Sequence, residues 1–182
     1  MEQAEIITVP SDYQHPLFFS SNQINLSYPE SFEEAMRTIP FIYEITKLEF
    51  RKEDATKPWE AGEHAVIHKV LKLWEEEQKV LNSLFEVRNR KEAQGPMMWS
   101  IVYFLNCLFW SNGQRVPGVT KLREKYHSLS IKPINVEERL EFIIQKPSHY
   151  HSYIQLSELF TEFKKQYYKQ QIINVSKSKK AT

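Results

Sequence analysis

Apolar residues recur every three or four positions through much of the chain, which is the spacing of one face of an α-helix. One series runs through residues 66–85 and another through residues 153–167, and charged residues fill the opposite faces. Residues 97–110 differ, because they are apolar on every side apart from Ser100 and Asn106. A helix without a polar face has to be covered all round. The pattern predicts an all-α fold, a single globular bundle of about six or seven helices around a central buried helix at 97–110.

Prolines and helix-capping residues indicate where these helices begin and end. Ser31 and Asn135 each precede a glutamate by three positions, which is the spacing of a capping box. Proline favours the first turn of a helix and glycine the position after its end. We therefore expect Pro96 to open the central helix and Gly113 to close it. By the same rule a long helix should begin near Pro58.

The chain divides into three predicted parts. Residues 1–28 have no helical period, and we expect an irregular N-terminal arm whose aromatic cluster packs on the domain. Residues 29–173 should form the helical domain. Residues 174–182 are polar and basic and are predicted to be a disordered tail. No pair of strands with hairpin turn residues is recognisable.

Composition excludes several classes of function. Four glycines in 182 residues argue against Rossmann turns and phosphate-binding loops. Lys and Arg number 24 and Asp and Glu 23, so the chain lacks the basic excess of most proteins that bind the nucleic acid backbone. The neutral total makes nucleic-acid binding less expected but leaves a local basic patch open.

The sequence shows no targeting signal, and this predicts a cytoplasmic protein. Cys107 is the single cysteine, so no disulfide can form within the chain. The first residues lack the basic and apolar regions of a signal peptide. The apolar stretch at 97–110 is shorter than the roughly 20 residues that a bilayer span needs. We expect a cytoplasmic protein that does not enter the membrane.

The best candidates for metal ligands are Glu60, His64 and His68. They follow one another at spacings of four, so on a helix they would share one face, and their side chains suit zinc or iron. However, no glutamate lies between the histidines to act as a base, and no second Glu-x-x-His motif occurs. A metal-binding bundle, extending to a metal-dependent hydrolase, and two ordinary surface histidines both remain open.

No catalytic residue or cofactor is assigned, because nucleophile and nucleotide-binding motifs are absent. A non-enzymatic role is favoured over an enzymatic one without being settled. The surplus of aromatic residues favours a protein-interaction module, with a partner that the sequence does not identify. Its predicted contact surface joins the arm to the loop after the central helix and consists of Phe18, Phe19, Trp59, Trp110, Asn112 and Arg115.

Lysines accumulate in the C-terminal stretch and alternate there with aromatic residues. Proteins that bind single-stranded nucleic acid combine cationic grooves with aromatic platforms. Nucleic-acid association through the lysine tail is therefore a further alternative. The solvated outer face of a helix explains the same lysines.

Three short motifs resemble the YpoC-like proteins of Gram-positive bacilli. They are His-Pro-Leu-Phe-Phe at 15–19, Lys-Pro-Trp at 57–59 and Phe-Trp-Ser-Asn-Gly-Gln-Arg-Val-Pro at 109–117. The resemblance would extend from about residue 15 to 145. It implies a small cytoplasmic bacterial protein, and it brings no catalytic residues with it.

Overall fold

The fold is helical, as the apolar pattern predicts. A computed structural model describes residues 5–51, 56–61 and 64–181. Within these residues there are seven α-helices, three short 3-10 turns and one two-stranded antiparallel sheet. The helices are α1 (Phe32–Thr38), α2 (Ile42–Ile45), α3 (His64–Glu86), α4 (Arg90–Trp110), α5 (Leu122–Lys125), α6 (Val136–Gln145) and α7 (Tyr150–Lys180).

Helix α4 is the centre of the bundle. Every residue from Ser100 to Trp110 is buried, which confirms the predicted central helix. Helices α3 and α7 pack against it. Their shared core contains Trp74, which stacks on Phe160 with ring centroids 4.2 Å apart, and Phe104, which meets Phe160 edge-on at 5.0 Å. Three helices are thus joined through one cluster of rings.

The start of α4 differs from the prediction. The helix begins at Arg90, and the Asn89 side chain accepts a hydrogen bond from the Glu92 amide at 3.3 Å. Pro96 therefore lies inside the helix, where its missing amide removes one bond in the second turn. The helix does end as predicted, since Gly113 follows it with a φ of 67°, a conformation that favours glycine.

The other predicted helix starts have mixed outcomes. Ser31 caps α1, because its hydroxyl accepts from the Glu34 amide at 3.1 Å. Asn135 makes no side-chain cap and adopts a φ of 52°, so the capping box predicted there is wrong. Pro58 lies in a turn closed by the Glu60 amide and the Lys57 carbonyl at 3.0 Å, so the prediction that a helix begins there is also wrong.

The N-terminal arm contains regular structure that the sequence analysis missed. Strand β1 (Glu5–Thr8) pairs with strand β2 (Gln23–Leu26) in antiparallel register. The β-branched run from Ile6 to Val9 favours a strand. The 14 residues between the strands contain no tight hairpin turn, which explains why the pair carries no hairpin signal. The arm nevertheless packs on the domain, with Val9 fully buried.

The predicted disordered tail is helical in the structure. Helix α7 continues to Lys180, and all its residues from 172 onward are exposed. The apolar series at 153–167 stops well before the end of this helix, so apolar spacing does not show how far the helix continues. Lysine favours a helix as much as most apolar residues do, which is consistent with a helical lysine-rich end. The division of the chain at residues 28 and 173 stays a prediction. Among the described residues, no helix combines the length and the apolar character that crossing a bilayer requires.

We predict that Gly118→Ala destabilises the fold. A Cβ atom at this buried position would overlap the Asp12 Cβ and lie 2.6 Å from the Asp12 carbonyl oxygen, so the arm would have to move away. Such overpacking lowers the free energy of unfolding by about 1–3 kcal/mol. Urea unfolding measures this loss.

Gly95→Ala is the matched control. A Cβ there meets nothing within 4 Å. The helix preference of alanine is opposed by the proline that follows, so the change should stay below about 1 kcal/mol. Equal unfolding free energies for Gly118→Ala and the wild type would show that the arm does not pack as closely as described.

Candidate functional site

Three segments of the chain meet beside the C-terminal end of α4. They are the 3-10 turn Ser11–Tyr13 of the arm, helix α2 and the loop at 111–117. The Tyr13 hydroxyl donates to the Val116 carbonyl at 2.6 Å, and the Arg115 guanidinium donates to the Tyr13 hydroxyl at 3.2 Å. We call this meeting point the junction, and its polar side chains are Tyr13, Glu44, Lys57, Trp110 and Arg115.

Glu44 lies at the centre of the junction and is buried. Its Oε1 accepts from the Trp110 indole at 2.8 Å and from the Val116 amide at 3.4 Å. Its Oε2 has no hydrogen-bond partner among the described residues. Burial raises the pKa of Glu44 to about 7, although these two hydrogen bonds and the charge of Arg115 oppose the rise. The carboxyl therefore exchanges its proton near neutral pH.

Lys57 holds the end of α2. Its ammonium group donates to the carbonyl oxygens of Tyr43 and Thr46, both at 3.3 Å, and to that of Leu48. Burial lowers the pKa of Lys57, while nearby carboxylates oppose the change. A cation at the C-terminal end of a helix satisfies its free carbonyls. This structural role accounts for the lysine of the Lys-Pro-Trp motif, which the sequence analysis left unassigned.

The six residues of the predicted contact surface do not form an exposed surface. Phe18 and Trp110 are only 7% and 4% exposed, so their assignment to a surface is wrong. Phe18 packs edge-on against Phe41, and Trp110 is bonded to Glu44. Counting aromatic residues cannot distinguish a core ring from an exposed one. Phe19, Trp59 and Asn112 are half-buried, and Arg115 is exposed.

Asn112 has an internal structural role. Its amide nitrogen donates to the Leu108 and Ile131 carbonyls at 2.7 and 2.9 Å. Its amide oxygen accepts from the Ser130 and Ile131 amides, both at 2.9 Å. Both donors and both acceptor sites are occupied. Asn112 therefore fastens the end of α4 to the segment at 130–131 and has no free group for a partner.

Trp59 and Trp110 line the same small cleft. Gly113 and Tyr167 line the same cleft, which has a volume of about 100 Å³. Sites for small molecules usually measure roughly 300–1,000 Å³. The cleft is therefore too small for such a ligand.

The candidate metal ligands are not assembled into a site. Glu60 lies in the turn before α3, where it accepts from the Lys57 amide at 3.0 Å, so it does not share a helix face with the histidines. The Nδ1 of His64 lies 2.9 Å from the Tyr167 hydroxyl, and His68 is exposed. Within residues 5–51, 56–61 and 64–181, no three His, Cys, Asp or Glu side chains are placed to hold one metal ion. The predicted shared face is wrong.

Helix α4 also buries the thiol of Cys107 and the amide of Asn106. Cys107 is buried, and burial raises the pKa of its thiol, as a packing role requires. Asn106 is buried on the same helix, and a buried amide usually bonds to a helix end or lines a polar pocket. Its amide nitrogen instead lies 4.0 Å from the Met36 sulfur, and its oxygen has no partner among the described residues. The geometry gives neither residue a chemical role.

The end of α7 is a second candidate region. Tyr167 is its last buried residue, and Tyr168, Ile172 and Val175 beyond or beside it are 45%, 69% and 52% exposed. Of the 24 Lys and Arg residues, six lie at 164–180, where there is no Asp or Glu, so the preceding chain holds 18 basic residues against 23 acidic ones. The near-neutral total conceals an acidic body and a basic helix end.

We predict that Glu44→Gln flattens the dependence of stability on pH. The pKa of Glu44 is about 7 in the folded chain and near 4.5 when unfolded. Its favourable contribution to folding is therefore complete below pH 4.5 and is lost as the pH rises to about 7. The wild type should lose roughly 2–3 kcal/mol relative to Glu44→Gln across this window, measured by urea unfolding.

Glu138→Gln, which removes an exposed carboxylate, serves as the control and should follow the wild-type pH curve. Parallel curves for Glu44→Gln and the wild type would contradict the assignment of a raised pKa to Glu44.

Comparison with known proteins finds relatives of the kind that the three motifs suggested. A family model described as YpoC-like protein matches residues 64–175. The protein named Uncharacterized protein YpoC, from Bacillus subtilis (strain 168), is 39% identical over 120 residues, which are 64% of this chain and 71% of that protein. No solved structure matches.

The family match begins and ends later than the predicted resemblance, and only the motif at 109–117 lies inside it. The family match covers helix α4, the loop at 111–117 and most of α7. The match spans more than half of the chain, and the chain therefore belongs to the YpoC-like protein family.

Proposed function

We propose that this protein is a non-enzymatic protein-interaction module whose docking element is the exposed end of α7. The partner is a protein with an apolar groove and an acidic rim, and the interaction takes place in the cytoplasm. The observation that carries the proposal is that α7 continues for nine residues, 172–180, beyond any contact with the core.

Three of the four exposed apolar residues of this helix end do not continue the core seam, and the fourth, Ile173, lies outside their stripe. At about 100° per residue, Tyr168, Ile172 and Val175 lie within about 60° of one another on the helix. Their direction is roughly 130° away from that of the buried Phe163 and Tyr167. We call Tyr168, Ile172 and Val175 the outer stripe. Its position at spacings of three and four matches helices that dock into grooves.

The outer stripe is unfavourable in an isolated chain. Full burial of an aliphatic side chain contributes about 1.5–3 kcal/mol, which the exposed Ile172 and Val175 do not gain. β-Branched residues also weaken a helix that has no tertiary support. A groove in a partner would cover both side chains and hold the helix.

The lysines beside the outer stripe specify the charge of the partner. Lys165 and Lys169 form no ion pair with any described residue. Acidic residues around a groove would pair with them and would raise the rate of association. Aliphatic side chains are of no use against a phosphate backbone, so the outer stripe favours a protein partner over a nucleic acid.

The proposal predicts a specific crosslinking pattern. A photoreactive benzoylphenylalanine is placed at Ile172 in the full-length chain, and the matched control carries it at Ile134, which is 74% exposed on another part of the surface. The variant with the probe at residue 172 should give one adduct of fixed mass in the cell. The control should not.

Substitutions in the same chain test both features of the docking element. Ile172→Gln with Val175→Gln removes the two aliphatic side chains of the outer stripe and introduces a good helix former at both positions. It should weaken binding of the identified partner by at least about tenfold. Lys165→Gln with Lys169→Gln should weaken binding mainly at low salt. Val80→Gln with Ile134→Gln should leave the affinity unchanged.

The identity and behaviour of the adduct decide the outcome. A partner with an acidic groove and both losses of affinity support the proposal. An adduct that forms equally at residues 172 and 134, or binding that survives loss of the outer stripe, would contradict it. If the crosslinked protein is a second copy of this chain, the helix end mediates self-association, and the proposal of an acidic partner is wrong.

Nucleic-acid association is a second candidate function, favoured by six lysines without an intervening acidic residue. It predicts that a fluorescent single strand of about 16 nucleotides binds with an affinity that falls steeply as salt rises. Lys165→Gln with Lys169→Gln should weaken this binding and reduce its salt dependence, and the Ile172→Gln, Val175→Gln variant should retain it. The opposite result would leave the protein partner as the better account.

A further inference from the structure

A cavity of about 670 Å³ opens between the end of α3, the turn after it and the start of α7. This region is separate from the outer stripe and from the junction. The volume is within the range of roughly 300–1,000 Å³ that is usual for small-molecule sites. The lining combines stacked rings, amide groups and two cations.

One wall of the cavity is aromatic. Phe85 stacks on Tyr153 with ring centroids 5.2 Å apart, and Tyr150 lies 5.5 Å from Phe85 in an edge-on arrangement. Tyr150 is 54% exposed, so its ring is available to a ligand. Exposed aromatic rings of this kind bind flat heterocycles by stacking.

Two arginines line the same cavity. Arg88 and Arg90 are exposed and form no ion pair with any residue in the described ranges 5–51, 56–61 and 64–181. The turn holds Arg88 at a φ of 57°, closed by hydrogen bonds from the Arg88 amide to the Phe85 carbonyl at 3.1 Å and from the Asn89 amide to the Leu84 carbonyl at 2.8 Å. A guanidinium binds phosphate through paired donors.

Polar side chains lie between the aromatic wall and the arginines. The Tyr153 hydroxyl donates to the Asn82 amide oxygen, which leaves the amide nitrogen of Asn82 as a donor. Glu86 also lines the cavity. Its carboxylate would repel a phosphate but would accept hydrogen bonds from the hydroxyl groups of a ribose.

We propose that this cavity is a binding site for a nucleoside monophosphate. The base stacks on Tyr150, the amide of Asn82 donates to the base edge, and Glu86 accepts from the ribose. The phosphate binds to Arg88 and Arg90. A cavity of this size fits one nucleotide, whereas a strand would need a groove that continues past both ends.

Calorimetric titration of the full-length protein with AMP and GMP tests the proposal. Adenosine supplies the ring without the phosphate, and inorganic phosphate supplies the anion without the ring. We expect micromolar binding of at least one nucleotide. Adenosine and phosphate should each bind at least about tenfold more weakly, because each lacks one set of contacts.

Variants of the lining residues identify the site. Arg88→Gln keeps a side chain with a Cβ atom at the positive φ of this position, so the backbone strain there does not change. Arg90→Gln shortens an exposed side chain. Both variants should therefore fold. Together they should weaken binding at least about tenfold, and Tyr150→Ala should weaken it severalfold. The matched controls are Lys91→Gln on α4 and Tyr28→Ala in the segment before α1, which remove an exposed cation and an exposed ring outside the cavity.

Several results would overturn the proposal. They are absence of nucleotide binding, equal binding of inorganic phosphate, and affinities unchanged in folded Arg88→Gln, Arg90→Gln and Tyr150→Ala proteins. Binding of a single-stranded oligonucleotide without binding of any mononucleotide would also overturn it. Loss of binding in the control variants would place the ligand elsewhere.

Discussion

A helix that buries all of its side chains over three turns has to be covered on every side, and this constraint organises the chain. Helix α4 is such a helix from Ser100 to Trp110. Since no direction around it is exposed, α3 and α7 have to be long enough to follow it, and the remaining segments have to close the gaps. The ring cluster of Trp74, Phe104 and Phe160 is where the three long helices meet.

The polar junction follows from the same constraint at the end of α4. The indole of Trp110 is buried and has to find an acceptor, and Glu44 supplies it. Burying that carboxyl is unfavourable and raises its pKa. The arm and the loop at 111–117 then close over the pair through Tyr13 and Arg115. The surfaces proposed for binding lie away from this region, on the parts of α3 and α7 that α4 does not require.

Features that depend on local periodicity could be predicted from the sequence, and features that depend on distant pairing could not. Two local patterns were sufficient to predict a helical bundle: the apolar run at 97–110 and the apolar spacing of residues 153–167. Glu44 lies in a short amphipathic segment and has no sequence signal of burial, since its partner Trp110 is 66 positions away. Glu60 had the right spacing for a helix face, but the chain turns before α3 begins. The cavity between the end of α3 and the start of α7 could likewise not be predicted, because residue spacing does not show which distant segments meet.

Hydrogen exchange of backbone amides tests the central role of α4 most directly. If α4 is covered on every side, its amides at residues 100–110 exchange only through global unfolding, and their opening free energy equals that measured by urea. The exposed end of α7 exchanges far sooner in the same experiment. Amides of α4 that open before those of α3 and the core part of α7 would contradict the account, because the bundle would then hold together without its centre.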